Sequence, residues 1–204
     1  MKKPEDAYHH GDLRRSLVEE AVRVVVRQGL DAFSLREVAR RVGVSANAAY
    51  RHFEDKDALL TAVAAHGLEL LGSRMREAMQ AVTTRGAAAR AKARLRATGR
   101  AYVTFALAEP QLFRIMFARG AFTSAAVAGE EPIPYRLLSE CLDALVAAGS
   151  LTPERRAGAE LKAWTVVHGY AALALGGGPL ASLGALEDVL DFAVDGIIGP
   201  SPGS

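Results

Sequence analysis

The chain has 204 residues, 50% of them hydrophobic and 24% charged, which is the composition of a soluble globular protein of one large or two small domains. No apolar run approaches the roughly 20 residues that span a bilayer, and the opening Met1-Lys-Lys-Pro-Glu-Asp6 lacks the hydrophobic segment of a secretory signal. A single cysteine, Cys141, excludes an intrachain disulfide and fits a reducing, cytoplasmic setting; its apolar neighbours suit a packed thiol better than a nucleophile.

Residues 1–10 read as a mobile arm ending in Tyr8-His9-His10, a candidate phosphate contact, with no further ligands at metal spacing. Gly11-Asp12 opens a first helix with Asp12 as cap. Leu13, Leu17, Ala21 and Val24 hold helical phase through the β-branched run that follows, until Gln28-Gly29 ends it.

Ser34 to Lys56 carries most of the information. Ser34 and Glu37 form a capping-box pattern, with Phe33 and Val38 placed as a hydrophobic staple. Leu35, Val38, Ala39 and Val42 share one face, Gly43 stops the helix, and Ser45 caps the next one. On that second helix Ala46, Ala49 and Phe53 turn inward; Asn47, Ala48 and Arg51 turn outward, flanked by Tyr50 and His52. Arg pairs with guanine and Asn with adenine across the major groove, so this face suits base edges. It also suits the solvated side of a small helical hairpin. Between Ser34 and Phe53, four arginines (36, 40, 41 and 51) stand against the one acid Glu37, a local net of +3 in a chain of net charge +2. A nucleic-acid footprint needs a basic face, not a basic protein.

Asp55 is placed to cap a long fourth helix whose face runs Leu60, Val63, Ala64, Gly67, Leu71, Met75, Ala78 and Val82. Gly67 and Gly72 in it mark close packing or a bend. Beyond a break at Thr83–Gly86, a helix continues to Glu109 and a shorter one follows Pro110. Its start holds a basic run, Arg85 to Arg100, read chiefly as a solvated face. Residues 120–134 read as a connection, Leu137–Ala148 as a helix, and Thr152-Pro153 as the start of a helix through Leu175. A last helix from Leu186 carries Val189, Leu190, Ala193, Val194 and Ile197, and the Gly/Pro/Ser tail from about 199 reads as disordered.

The first 60 residues resemble the DNA-binding domain of the TetR (tetracycline-repressor) family. The likeness rests on Ser34–Ser45, on Tyr50-Arg-His-Phe53 with Lys56, and on Tyr8–Arg14. Trp164-Thr-Val-Val-His168-Gly169 and the stretch from Phe105 to Phe117 around Pro110 resemble one group of C-terminal domains in that family. The resemblance implies an all-α homodimer: a three-helix helix-turn-helix domain over 1–57, and a helical effector-binding and dimerisation domain over 58–204, about nine helices in all. It implies a repressor released from double-stranded operator DNA by a small effector. Tyr50, His52, Lys56 and Ser34 would then meet phosphates and Asn47, Ala48 and Arg51 the bases, with Arg36, Ser45 and Ala46 completing the interface.

The penultimate helix is apolar on two sides, so it is either central to its own domain or shared between its core and a dimer interface, the second being the first choice. Phe105, Phe113, Met116, Phe117, Trp164 and His168 are candidate pocket residues, although aromatic and Met residues at helical spacing also make ordinary core. Their low charge favours a lipophilic effector. No cofactor, metal site or enzyme is expected, because phosphate loop, ligand spacing and nucleophile–base pair are all missing from the sequence. The alternatives are a helical protein-interaction adaptor and a regulator without a small-molecule site.

Overall fold

The computed structural model describes residues 10–30, 33–119, 131–177 and 183–199. Residues 1–9 of the expected arm, most of the connection 120–134 and the tail after Gly199 lie outside that set. Among the described residues every regular element is an α-helix, and there are ten.

Helix α1 (His10–Gln28) starts just ahead of the expected Gly11-Asp12 and buries Leu17, Ala21, Val24 and Val25. Gly29 closes it at φ 74°, in the left-handed region. Helices α2 (Leu35–Val42) and α3 (Ala46–Tyr50) follow, α1 packing on α2 and α2 on α3. Phe33, Leu35, Val38, Ala39, Ala49 and Phe53 are all buried, so three short amphipathic segments close one small apolar centre.

Helix α4 (Lys56–Gln80) is capped by Asp55, whose Oδ1 accepts from the Ala58 amide at 2.7 Å. It runs through both of its glycines, which serve close packing. A β-carbon at Gly67 would stand 2.7 Å from Met116 Cγ, and one at Gly72 would stand 2.5 Å from Ile133 Cγ2. Helix α5 (Ala87–Ala108) stops at Glu109, and α6 (Pro110–Ala118) starts at once with proline in its first turn.

The described residues form two units. The first comprises those up to Gly67 together with 111–119, and the second the remainder. The division therefore falls inside α4, and nearly all of α6 belongs with α1–α3. Within the first unit Arg119, just past α6, pairs with Asp57 in the first turn of α4 at 2.9 Å.

In the second unit α5 packs against α7 (Ile133–Ala147), α9 (Ala159–Leu175) and α10 (Leu183–Ile198). Three boundaries depart from expectation. α7 begins four residues before Leu137, because prolines at 132 and 134 fall where a helix needs no amide donor. The helix expected over 153–175 is two. Thr152 caps α8 (Pro153–Arg156), then an extended Ala157 and a left-handed Gly158 at φ 67° turn the chain before α9. That break takes the count past the expected nine. α10 begins three residues before Leu186. The basic run is partly absorbed: Arg96 pairs with Glu187 and Asp191 at 3.1 and 3.0 Å, and Arg100 with Glu187 at 2.5 Å, tying α5 to α10.

Candidate nucleic-acid interface and ligand cavity

In the first unit the local chemistry of the turn fixes the exposed face. Ser34 Oγ accepts from the Glu37 amide at 3.2 Å, so half of the capping box forms. The other half does not. The Glu37 carboxylate takes hydrogen bonds from Arg40 at 2.8 and 2.9 Å and from Arg41 at 2.7 Å. These hold its carboxyl at about 2, well below the usual carboxylate range. Gly43, at φ 85°, bonds back to the Ala39 and Arg40 carbonyls, and the Val44 amide also reaches Ala39. Ser45 Oγ then accepts from the Ala48 amide at 3.2 Å and starts α3.

Ala49 and Phe53 anchor the underside of α3, while Asn47, Tyr50 and Arg51 are exposed and Ala46, Ala48 and His52 half-buried. Asn47 and Arg51 thus stand out beside Ala46 and Ala48, with Tyr50 and His52 flanking them. Arg36 is exposed too, and neither Arg36 nor Arg51 forms an ion pair among the described residues. Lys56, expected only as a phosphate contact, has a second engagement. Its Nζ donates to the Leu30 carbonyl at 3.2 Å and lies 5.7 Å from the centre of the Phe33 ring. An ammonium has three donors, so this leaves capacity for an anion. Arg14, which no local spacing marks out, stacks its guanidinium 5.0 Å over the Phe53 ring.

The second unit holds a cavity of about 50 Å³. Its wall includes Met75 from α4, Thr98 and Tyr102 from α5, Tyr135 from α7, Trp164 from α9 and Leu190 from α10. Of the six residues expected to line a pocket, Trp164 does so. Phe105 is buried in the second unit without reaching the cavity. Phe113 and Met116 are buried in the first unit, where the Phe113 and Phe117 rings lie 4.7 Å apart. His168 stands one residue behind the wall: Trp164 Nε1 donates to Tyr102 Oη at 3.1 Å, and that oxygen lies 2.9 Å from His168 Nδ1. Indole can only donate, so the Tyr102 oxygen accepts from Trp164 and makes its second contact with His168 Nδ1. Burial pushes the Tyr102 hydroxyl up and the His168 imidazole below its ordinary 6.5, which keeps the triad neutral. Thr98, Tyr102 and Tyr135 were not anticipated. Their signal is a polar group on the inner face of an apolar helix, which reads equally as a satisfied core residue.

The comparisons with known proteins agree with this arrangement. Residues 17–63 match the family described as bacterial regulatory proteins, tetR family, and residues 95–197 match the tetracyclin repressor-like C-terminal domain. A protein of unknown function from Rhodococcus sp. RHA1 is 33% identical, with 95% of this chain and 97% of that one covered at a TM-score of 0.74. At the level of fold, a TetR family transcription regulator from Marinobacter aquaeolei VT8 matches at 21% identity (89% and 93% covered, TM-score 0.59). So does a TetR variant from Acinetobacter baumannii AYE in complex with minocycline, at 20% identity (97% and 95% covered, TM-score 0.58). With one of these domains matched over half the chain, and the other over the helix-turn-helix, the chain belongs to the TetR family of bacterial transcriptional regulators.

Proposed function

We propose that the chain is a cytoplasmic, homodimeric repressor, released from operator DNA when a small lipophilic effector enters the cavity of the second unit. Members of its family are DNA-binding regulators, not enzymes. In this reading Asn47, Ala48 and Arg51 face bases, and Ser34, Tyr50, His52 and Lys56 hold the backbone, with Arg36, Ser45 and Ala46 beside them.

One observation carries the proposal: the cavity wall and the reading unit share a helix. Met75 lines the cavity and Lys56 begins the same α4. A second route runs along α5, which carries Thr98 and Tyr102 and passes at Pro110 into α6 of the first unit. The cavity is about a third of the ~150 Å³ that accommodates benzene in an engineered apolar core. A larger effector must therefore move the walls, and with them α4 or α5. That gives the effector different affinities for two conformations, the condition for any ligand-driven shift. A neighbour of the same fold was solved in complex with minocycline, which supports a small-molecule effector for this chain.

Fluorescence anisotropy on the DNA upstream of the chain's own gene tests this. Tight, sequence-selective binding is expected, and a ligand that enters the cavity should reverse it. Equal affinity for that duplex and for a scrambled one would refute operator recognition.

A further inference from the structure

The polar groups on the cavity wall are almost all committed to one another. Thr98 Oγ1 donates to the Leu95 carbonyl at 2.7 Å, and Tyr102 and Trp164 are joined to each other and to His168. Among the described residues no Asp, Glu, Lys, Arg or His lines the cavity. The remaining polar group is the hydroxyl of Tyr135, in the first turn of α7. The residue is 36% exposed, and its side chain makes no hydrogen bond among the described residues. It is the most exposed residue of the wall.

A charged ligand here would surrender its hydration with no counter-charge on the wall and the Tyr135 hydroxyl as its one open donor, and that loss costs orders of magnitude in affinity. A hydrocarbon surrenders nothing and gains contact with the rings of Trp164, Tyr102 and Tyr135. We infer that the cavity takes a neutral, largely hydrocarbon ligand bearing at most one hydrogen-bonding group, and that the Tyr135 hydroxyl receives that group. The inference rests on the cavity being the effector site. It names a class of effector: alcohols, ketones or plain hydrocarbons, and not carboxylates, phosphates or polycations.

Trp164 is the only tryptophan, so its emission reports occupancy in the full chain. Three matched probes that do not absorb at its excitation wavelength decide the matter: cyclohexane, cyclohexanol and cyclohexanecarboxylate. The two neutral probes should shift the emission saturably, and the carboxylate should bind at least about a hundredfold more weakly. Tyr135→Phe should weaken cyclohexanol about three- to tenfold and leave cyclohexane unchanged. Equal or tighter binding of the carboxylate, silence of both neutral probes, or indifference of cyclohexanol to Tyr135→Phe would each overturn the inference. Filling the cavity separates it from the reading on which it rests. Ala163→Leu, or Ala193→Leu where the first does not fold, should abolish probe binding and ligand-driven DNA release together. Binding that survives the filled cavity places the effector site elsewhere and defeats both. Binding lost on filling, with the carboxylate the best of the three, keeps the site and defeats the ligand class.

Discussion

Arg36, Arg40, Arg41 and Arg51 count alike in a charge tally and differ in the fold. Glu37 holds Arg40 and Arg41, and Glu20 stands 3.8 Å from Arg41 as well. Because the Glu37 carboxyl sits at about 2, below its ordinary 4.5, the clamp is complete above pH 4.5 and is lost only as pH falls through about 2. The local +3 is therefore presented mainly by Arg36 and Arg51. Glu37→Gln should release two guanidiniums, raise affinity for any duplex about two- to fivefold, and steepen the salt dependence between about 50 and 200 mM. An unchanged slope would mean that Arg40 and Arg41 stay away from DNA. Arg51→Ala should cost about 1–3 kcal/mol of preference for the operator over other sequences. Lys56→Ala should weaken all duplexes alike, lower the salt slope by about 1, and reduce the melting temperature through the lost bond to Leu30. If only the melting temperature moves, Lys56 is a tether and not a phosphate contact. The outward placement of Asn47 and Arg51 was legible from helical period alone. The Lys56–Leu30 bond was not, since it joins residues 26 apart across a turn that no local pattern describes.

At the scale of elements, periodicity marked α1 to α6 because each carries an apolar stripe with a capping residue or breaker near its ends. It failed at Ala157-Gly158 between α8 and α9, because a lone glycine inside a helical pattern is tolerated as often as it breaks one. It also could not assign α6, whose place in the first unit depends on a meeting with α4 some forty residues earlier. The cavity wall differs from the expected pocket lining for the same reason: Phe113, Met116 and Phe117 fall in the other unit. The two glycines of α4 give a test of that packing. At Gly67 a new methyl meets Met116 Cγ and Sδ, part of a flexible side chain that can turn aside. At Gly72 it meets Ile133 Cγ2 and, at 2.9 Å, the Ile133 Cβ, which is branched and fixed to the first turn of α7. Alanine gains about 1 kcal/mol of helix propensity at either site, against about 1–3 kcal/mol or more for overpacking. Calorimetry should find Gly72→Ala several degrees less stable than the parent and Gly67→Ala closer to it. The reverse order would mean that α7 yields more easily than Met116.

For the whole molecule, the question is what covers the outer sides of α9 and α10. These helices pack on each other, yet Leu161 and Leu173 are 64% and 59% exposed and Phe192 is 75% exposed. Gly169 and Gly196 have nothing within 4 Å of where a β-carbon would stand, so both backbones are open to close approach. The sequence showed α9 to be apolar on two sides. In the fold Ala163, Ala171 and Ala174 take the inner side, and Leu161 is left outside in the first turn. Scattered exposed leucines are ordinary, but two leucines, a phenylalanine and two bare glycines on neighbouring helices make a surface fit for a second copy. Phe192→Glu would set a carboxylate from each copy against that surface while leaving the inner face of α10 untouched. It should raise the dimer dissociation constant at least about a hundredfold, about 2.7 kcal/mol, with little change in the melting of each subunit. Sedimentation at micromolar concentration reads the first effect and circular dichroism the second. Two half-sites about 34–36 Å apart on DNA need two linked reading units. The variant should therefore lose most of its affinity for a full operator while keeping the parent's weak affinity for an isolated half-site. If Phe192→Glu sediments as the parent does, the two copies meet through some other face, and the open space over Gly169 and Gly196 needs another explanation.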